Sequence, residues 1–364
     1  MQKFTQPLAC GVFWLLSLLP LALFTIDGPW PWGGELRMQA RAPFPSQITP
    51  HVFREFDRWF VSRVGLRRYL IFAGATFHVG FLQRPTDRRV VIGRDGWLFY
   101  TDDDHRPATL ADFRGALRFT DFELRAIERN LLAMRDALGA CGVVGLVVVA
   151  PNKESIYGEY LNNSGVRPTT RLDDMLSRLD SPARAMILDL RVPLRAAKAA
   201  APDLPLYFKT DSHWNDLGAF YAYRAIIMAL AHSMPVGDSA LASLGQYEIE
   251  VKPFDDGDLA INMLSSPGRF KDVQVLLRGK PGNTVALVKL GGQILLVGDS
   301  FSARLSRFVA QNFHVFRSGS LGNLPPPPLR ADGPQPSAVV FETVESLLPS
   351  MLEWDFDWRR VCPR

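Results

Sequence analysis

The chain contains little cysteine. Its 364 residues include three cysteines, Cys10, Cys141 and Cys362, and six histidines. No C-x-x-C pair occurs, and the cysteines and histidines do not have the spacing of a metal site. We therefore predict no metal and no cofactor. Cys141 follows a predicted helix and precedes an apolar strand, which favours a buried thiol over a disulfide with Cys362.

Excess charge of one sign is also missing. The 41 lysines and arginines are nearly balanced by 37 aspartates and glutamates, for a net charge of +4. No dense basic run is interleaved with aromatic residues, as a nucleic-acid groove would need. Nucleic acid is therefore excluded as an expected partner. With 47% apolar residues, the chain has ample material for a buried core.

The N-terminal region has no charge for 20 residues, from Pro7 to Ile26, which is about the length that crosses a bilayer. Small residues of the A-x-A kind do not follow, so an uncleaved anchor is favoured over a cleaved signal peptide. The predicted organisation is an anchor at 1–26, a linker with an amphipathic helix at 27–87, a catalytic domain at 88–350 and a tail at 351–364.

Strands and helices alternate through most of the chain. Continuous apolar runs predict buried strands, and most are followed by a helical pattern. We predict a helix from Thr120, capped by Thr120 with Glu123, and an antiparallel hairpin insertion within 273–290. The alternation predicts a mostly parallel α/β sheet with helices on both faces. The segment 90–100 is predicted as a strand–turn–strand with Asp95-Gly96 as the turn. The other predicted strands include 143–150, 184–190, 204–210, 291–298, 314–320 and 337–344.

Two polar clusters follow predicted strands, at the edge of an α/β sheet where functional groups collect. The first, TDSHWND, contains Asp211 and His213, and the second, GDSFS, contains Ser300. Residues two apart in an extended segment point to one side, so Asp211 can orient the imidazole of His213. A serine at a strand-to-helix turn has its hydroxyl exposed, but it needs such a base to act as a nucleophile. Together the clusters predict a Ser-His-Asp triad.

Several separated blocks resemble the alginate O-acetyltransferase family, the AlgJ/AlgX-like and DHHW group of SGNH-hydrolase-like proteins. They are GRDGWLFY, APNKESIYGEYL, TDSHWNDLGAFYAY, DDGDLAINML and VGDSFSARL, in the family's order. The resemblance implies a three-layer α/β/α sandwich with Asp211, His213 and Ser300 as the triad. Asp299 and Phe301 stand where alginate members have Thr and Tyr.

Further residues near these blocks are candidates for substrate contact, each beside a structural alternative. Lys153 and Tyr157 could contact an acidic sugar or only hold a loop. Trp214 could stack on a sugar ring or fill the core, and Arg304 could meet an anionic substrate or be solvated. For the oxyanion, we expect the Ser300 amide and consider Asn323, which could equally be a loop residue.

The resemblance implies O-acetylation of an exported polysaccharide through an acetyl-serine. Periplasmic location, anchoring to the inner membrane and a membrane-bound O-acyltransferase as acetyl donor are implied with it. Two alternatives stay open: a carbohydrate O-acetyl esterase, in which water accepts the acyl group, and a non-catalytic polysaccharide-binding subunit of an export complex. No sequence motif encodes the choice between water and sugar.

Overall fold

The computed structural model describes residues 11, 14, 42–46, 49–62, 67–101, 109–162, 169–234, 241–255, 257–280, 292–318 and 336–354. The chain divides into two compact units, one of Met1–Asp87 and Asp258–Phe270 and the other of Arg88–Gly257 and Lys271–Arg364. The second unit contains all three residues of the predicted triad.

The first unit is mainly helical in its described residues. Helix α1 (Val52–Val61) carries the predicted amphipathic pattern, and α2 (Arg67–Ala75) continues into a π-helical segment, Thr76–Phe81. A further π-helical segment spans Leu259–Met263. The apolar face of α1 is only partly covered, since the side chain of Phe53 is 86% exposed.

A parallel sheet forms the centre of the second unit. In the described residues it has five strands in the order β4-β3-β9-β7-β8, and every neighbouring pair is parallel. Parallel neighbours require crossover connections, which is why strands and helices alternate along the chain. The strands of this unit are β1 (Val90–Ile92), β2 (Leu98–Tyr100), β3 (Val144–Ala150), β4 (Ile187–Asp189), β5 (Tyr247–Pro253), β6 (Val273–Gly279), β7 (Gln293–Gly298), β8 (His314–Ser318) and β9 (Ala338–Val344).

The sheet separates two hydrophobic cores. Successive strand residues point to opposite faces, so in β3 Leu146 and Val148 enter one core while Val147 and Val149 enter the other. Residues of α5, α8, α9 and α10 line the first core, and residues of α4, α6 and α7 line the second. The helices are α3 (Thr109–Phe113), α4 (Asp121–Gly139), α5 (Lys153–Tyr157), α6 (Arg171–Arg178), α7 (Ser181–Arg184), α8 (Arg191–Ala200), α9 (Asp216–Leu230) and α10 (Ser302–Val309).

Local signals in the sequence predict the start of one helix and one hairpin. Thr120 caps α4 through a reciprocal pair of bonds with Glu123, the capping box that its sequence predicts. Strands β1 and β2 form the predicted antiparallel hairpin. Its turn contains Asp95 with φ of 54° and Gly96 with φ of 77°, a left-handed conformation that Gly adopts freely and Asp tolerates.

The prediction of a strand at 204–210 is wrong. Tyr207 makes only an isolated antiparallel bridge with Trp214, and the segment is otherwise a loop. Leu206, Tyr207 and Phe208 are nevertheless buried, each at 1% exposure or less. A short apolar run does not distinguish a strand from a buried loop, because both need apolar side chains.

An antiparallel strand pair is present in this region, and it includes the first half of the predicted hairpin. Strand β6 pairs with β5, which precedes it, with Val273 opposite Pro253 and Gly279 opposite Tyr247. Residues 281–290, the expected second half of the hairpin, lie outside the described residues, so the pairing within 273–290 stays a prediction.

No helix in the described part of the chain is both long and apolar enough to cross a membrane. Apart from Gly11 and Trp14, the predicted anchor at 1–26 lies outside the described residues, as does the tail from residue 355 onward with Cys362. Cys141 is half-buried.

Candidate active site

Asp211 and His213 lie at the tip of a narrow loop that joins α8 to α9. The loop is closed by a hydrogen bond from the Phe208 amide to the His213 carbonyl (3.2 Å) and one from the Asn215 amide to the Leu206 carbonyl (2.9 Å). We call residues 206–215 the acid–base loop. Its closed backbone holds the two catalytic candidates in one arrangement although they do not follow a sheet strand.

Asn215 ends the acid–base loop and starts the next helix. Its Oδ1 accepts the amides of Leu217 (2.9 Å) and Gly218 (3.3 Å), and its Nδ2 donates to the carbonyl of Pro205 (2.6 Å). An Asn at this position satisfies amides that would otherwise lack a partner at the helix start. Asn215 therefore joins both stems of the loop to α9.

Two buried polar groups hold the loop from the sides. The Lys153 ammonium donates to the carbonyls of Phe208 (3.2 Å), Lys209 (3.0 Å) and Asp211 (2.7 Å). On the other flank, Oδ2 of Asp272 accepts both the amide (2.8 Å) and the hydroxyl (2.7 Å) of Thr210. Sequence reasoning missed Asp272, because an Asp before a strand gives no sign of a partner 62 positions earlier.

Ser300 stands on the turn between β7 and α10, and its side chain is exposed. The Asp299 carboxylate organises this turn: Oδ1 accepts the Phe301 amide (2.9 Å) and Oδ2 accepts the Val344 amide at the end of β9 (2.9 Å). Ser302 donates its hydroxyl to the Asp299 carbonyl (2.7 Å). We call residues 298–302 the nucleophile turn.

The three triad candidates form one hydrogen-bonded line. Nε2 of His213 lies 2.6 Å from Oγ of Ser300, and Nδ1 lies 2.7 Å from Oδ1 of Asp211. Since an ionised carboxylate only accepts, Nδ1 carries the proton and Nε2 can accept the serine hydroxyl. Asp211 Oδ1 also accepts the His213 amide at 2.9 Å, which fixes the carboxylate against the ring. The line has the geometry of a nucleophile, its base and an orienting acid.

The chain neighbours of the catalytic candidates contact one another. Trp214 donates from Nε1 to the Phe301 carbonyl at 3.1 Å, and its ring lies edge-on to the Phe301 ring at 5.0 Å. The Phe301 ring also lies 4.9 Å from the imidazole of His213. These contacts join the acid–base loop to the nucleophile turn beside the reacting groups.

Three of the substrate-binding candidates are buried and bonded within the protein. Trp214 is fully buried, Lys153 is 3% exposed and Tyr157 is 4% exposed. The Tyr157 hydroxyl accepts the Leu206 amide at 2.8 Å. These contacts favour the structural alternative for each residue, because direct contact with a sugar needs an accessible side chain.

Arg304 is the accessible member of that group, with 36% of its side chain exposed. Nη1 lies 3.1 Å from Oδ1 of buried Asp216, and the guanidinium lies 5.0 Å from the Phe208 ring. From its place on α10 it therefore reaches both α9 and the acid–base loop, held in one orientation and partly open to solvent. Asn323 lies outside the described residues.

The backbone amides of the nucleophile turn are the groups that could donate hydrogen bonds to an oxyanion at Ser300. The Phe301 amide donates to Oδ1 of Asp299 and the Ser302 amide to its carbonyl. Within the described residues, no acceptor receives the Ser300 amide. That N–H, on the candidate nucleophile and at a helix start, can donate to an oxyanion.

A buried ionic cluster lies at the carboxyl ends of β3, β4 and β9. The Arg191 guanidinium pairs with Asp189 (2.7 Å) and Asp173 (2.8 Å) and lies 3.4 Å from Glu345. Burial raises the pKa of Glu345 to about 7, although Arg191 lowers it, and Oε2 accepts the Asn152 amide at 2.9 Å. The cluster ties three strand ends together on the side where Lys153 begins α5.

A parallel sheet between two helical layers, with Asp211, His213 and Ser300 in line at its carboxyl edge, defines an SGNH-hydrolase-like α/β protein. Residues 90–314 match the family model described as SGNH hydrolase-like domain, acetyltransferase AlgX. This span is more than half of the chain, and the chain belongs to that family.

Relatives of this chain carry the name probable alginate O-acetylase AlgJ. The protein from Pseudomonas putida is 31% identical over 222 residues, which are 59% of this chain and 52% of the relative. That from Pseudomonas aeruginosa is 29% identical over 182 residues, 50% of this chain and 42% of the relative. The chain thus spans about half the length of these curated relatives.

A solved structure agrees with the fold. Bacillus cereus PatB1 with a sulfonyl adduct matches with a TM-score of 0.50 and 14% identity, covering 73% of this chain and 100% of that chain. At this identity the likeness concerns the fold alone.

Proposed function

We propose that this protein is an O-acetyltransferase that transfers acetyl groups to hydroxyls of an exported polysaccharide through an acetyl-serine at Ser300. The hydrogen-bonded line from Asp211 through His213 to Ser300 is the observation that carries the proposal. Membership of the AlgX acetyltransferase family and the relatives named alginate O-acetylase support acetyl transfer and a polysaccharide acceptor.

In the first step, Nε2 of His213 takes the hydroxyl proton of Ser300 while Oγ attacks the acetyl carbonyl of the donor. The Ser300 amide, and in our proposal Asn323, donates to the oxyanion. The donor's leaving group departs with the proton held by His213, and acetyl-Ser300 remains. Asp211 stabilises the imidazolium throughout.

In the second step, a sugar hydroxyl gives its proton to His213 and attacks the acetyl carbon. The bond to Oγ breaks, and Ser300 recovers the proton. Arg304 is the residue that we propose to contact an acidic group on the polymer, since it is half-exposed beside the nucleophile turn. Lys153, Tyr157 and Trp214 act by holding the acid–base loop.

We further propose that the reaction takes place in the periplasm, with the apolar segment 7–26 as an uncleaved anchor in the inner membrane. Acetyl-CoA is a cytoplasmic donor, so an exported enzyme needs a membrane-bound O-acyltransferase to deliver acetyl groups. An anchored catalytic domain at 88–350 would stay close to such a partner.

The test combines the exported part of the chain with an activated acetyl ester and a panel of acidic and neutral oligosaccharides. We expect an acetyl adduct on Ser300 by mass spectrometry and acetylated oligosaccharide as product. Ser300→Ala should abolish both, whereas Ser306→Ala, which removes a serine hydroxyl on the following helix α10, should retain them. Unchanged transfer in Ser300→Ala would refute the mechanism, and acetate release without any acetylated sugar would identify an esterase.

A further inference from the structure

A glutamate lies buried in the central strand beneath the nucleophile turn. Glu342 belongs to β9, is 0% exposed and pairs in register with Gly298, the first residue of that turn. Its strand neighbours Phe341 and Thr343 are also fully buried. An ionised carboxylate in such a place would be strongly disfavoured unless it were paired.

The Glu342 carboxyl lies directly against the start of the turn. A Cβ atom added to Gly298 would be 2.6 Å from Oε2 of Glu342 and 3.0 Å from its Cβ. Glycine is therefore needed at 298 because the carboxyl occupies the space of a side chain. A movement of this carboxyl would therefore shift the backbone at Gly298, two residues before Ser300.

Glu342 lacks ordinary donors for a carboxylate. The amides of Asp299 and Ser302 lie near it. Among the described residues, however, no N–H or hydroxyl group donates to either Oε with normal length and angle. The Asp299 carboxylate is a charged group close to Glu342, and the phenol of buried Tyr207 is a further titratable group that interacts with it. Burial, followed by the charge of Asp299, raises the pKa of Glu342 well above its ordinary value.

Asp299 can accept one more hydrogen bond while it holds the turn. Its two oxygens already accept the amides of Phe301 and Val344, both at 2.9 Å. An ionised carboxylate offers about four lone-pair sites, so a carboxylic acid can donate to it as well. Two carboxyl groups in contact share a proton more readily than they both ionise.

We propose that Glu342 is a positioning residue: as a buried carboxylic acid it donates a hydrogen bond to the Asp299 carboxylate and thereby holds the turn that presents Ser300 to His213. The consequence for catalysis rests on the proposed function of Ser300 as the nucleophile. The pairing of Glu342 with Asp299 does not depend on it.

The kinetic test follows acetylation of Ser300 by an activated ester in Glu342→Gln and Glu342→Met, as a function of pH. The Gln amide can still donate to Asp299, so its acylation rate should stay within a few-fold of the unaltered protein. The Met side chain has similar length but no donor, and its rate should fall by about tenfold or more. A folded Glu342→Met protein that acylates at the normal rate would overturn the proposal.

The pH dependence separates positioning from simple packing. The unaltered protein should lose acylation rate at alkaline pH as Glu342 loses its proton beside Asp299, and Glu342→Gln should not show that loss. The same alkaline decline in both proteins would contradict the proposed role of the proton.

Infrared spectroscopy tests the pairing without any catalytic readout. The difference spectrum between the unaltered protein and Glu342→Gln should contain a protonated-carboxyl C=O band at neutral pH. This band should shift in Asp299→Asn, because the acid then loses its charged acceptor. An absent band, or one that Asp299→Asn leaves unchanged, would overturn the pairing. Lack of acylation at Ser300 in the unaltered protein would instead refute the proposed function, and the band would still decide the pairing.

Discussion

Replacement of Lys153 by methionine distinguishes a residue that holds the acid–base loop from one that binds substrate. Methionine has similar length and keeps the contacts of the aliphatic stem but donates no hydrogen bond. Lys153→Met removes the donor to three backbone carbonyls, at 2.7, 3.0 and 3.2 Å, in a place where the side chain is 3% exposed. The variant should therefore disturb the loop without creating a large cavity.

The magnitude follows from these three bonds. A hydrogen bond to a charged group contributes about 1.5–3 kcal/mol, and bonds that share one donor add less than independently. We expect the free energy of unfolding to fall by about 3–5 kcal/mol, a large part of the roughly 5–15 kcal/mol of a typical domain. Because the Asp211 carbonyl loses a partner, acylation of Ser300 should slow by at least about tenfold with any acetyl donor.

The assay is urea unfolding together with the rate of Ser300 acylation by a small activated ester. Lys198→Met is the matched control, since Lys198 donates to the Ile156 carbonyl (2.6 Å) and pairs with Glu159, away from the acid–base loop. The control should lose less stability and keep its acylation rate. If Lys153→Met unfolds at the normal urea concentration, acylates normally and only raises the KM for polysaccharide, Lys153 binds substrate and the reasoning is refuted.

Two further predictions concern the triad and the ionic cluster. Asp211→Asn should lower the rate of Ser300 acylation by about 10⁴-fold, because the amide no longer selects the Nδ1–H tautomer of His213. Burst kinetics measure this rate, and a loss below tenfold would contradict the proposed role of Asp211 in orienting His213. Burial raises the pKa of Glu345 to about 7 and that of Glu154 to about 8, so the folded protein keeps protons that the unfolded chain releases near pH 4.5. Stability should therefore decline as pH rises from 4.5 through 7 and 8. The part due to Glu345 amounts to about 1.4 kcal/mol for each unit by which its pKa is higher in the folded protein than in the unfolded chain. Urea unfolding across this range should show a shallower decline in Glu345→Gln, and equal slopes would contradict the assignment.

Much of the fold could be predicted because its signals are local. The apolar run of β3 and the capping box at Thr120 each depend on residues close in sequence, and both are present in the structure. The candidate triad could also be assembled, since Asp211 and His213 are two positions apart and GDSFS follows a recognisable strand. In the structure Asp211 and His213 are hydrogen-bonded on a closed loop and not after a strand, and Asp211 also accepts the His213 amide.

The rest depends on contacts that the sequence does not encode locally. The apolar residues of the run 204–210 predict a strand, whereas the structure has a largely buried loop there. Lys153 reads as an accessible cation, yet three carbonyls 55 to 58 positions away surround it. Glu342 gave one usable signal, a lone acidic residue within the apolar strand AVVFETV, but its neighbour Asp299 lies on another strand end.

The site therefore has a local part and a part that only the fold can supply. The acid and the base are joined over two residues, while the base and the nucleophile meet across 87 positions at 2.6 Å. The next residue after each of them helps to fix the distance between His213 and Ser300. Trp214 follows His213, Phe301 follows Ser300, and these two neighbours, also 87 positions apart, are joined by a hydrogen bond in the core. A fully buried indole is a more rigid link than the exposed serine could provide by itself. In the proposed mechanism, the tryptophan in TDSHWND serves catalysis by fixing where His213 stands relative to Ser300, which explains why a buried aromatic residue directly follows the proposed base.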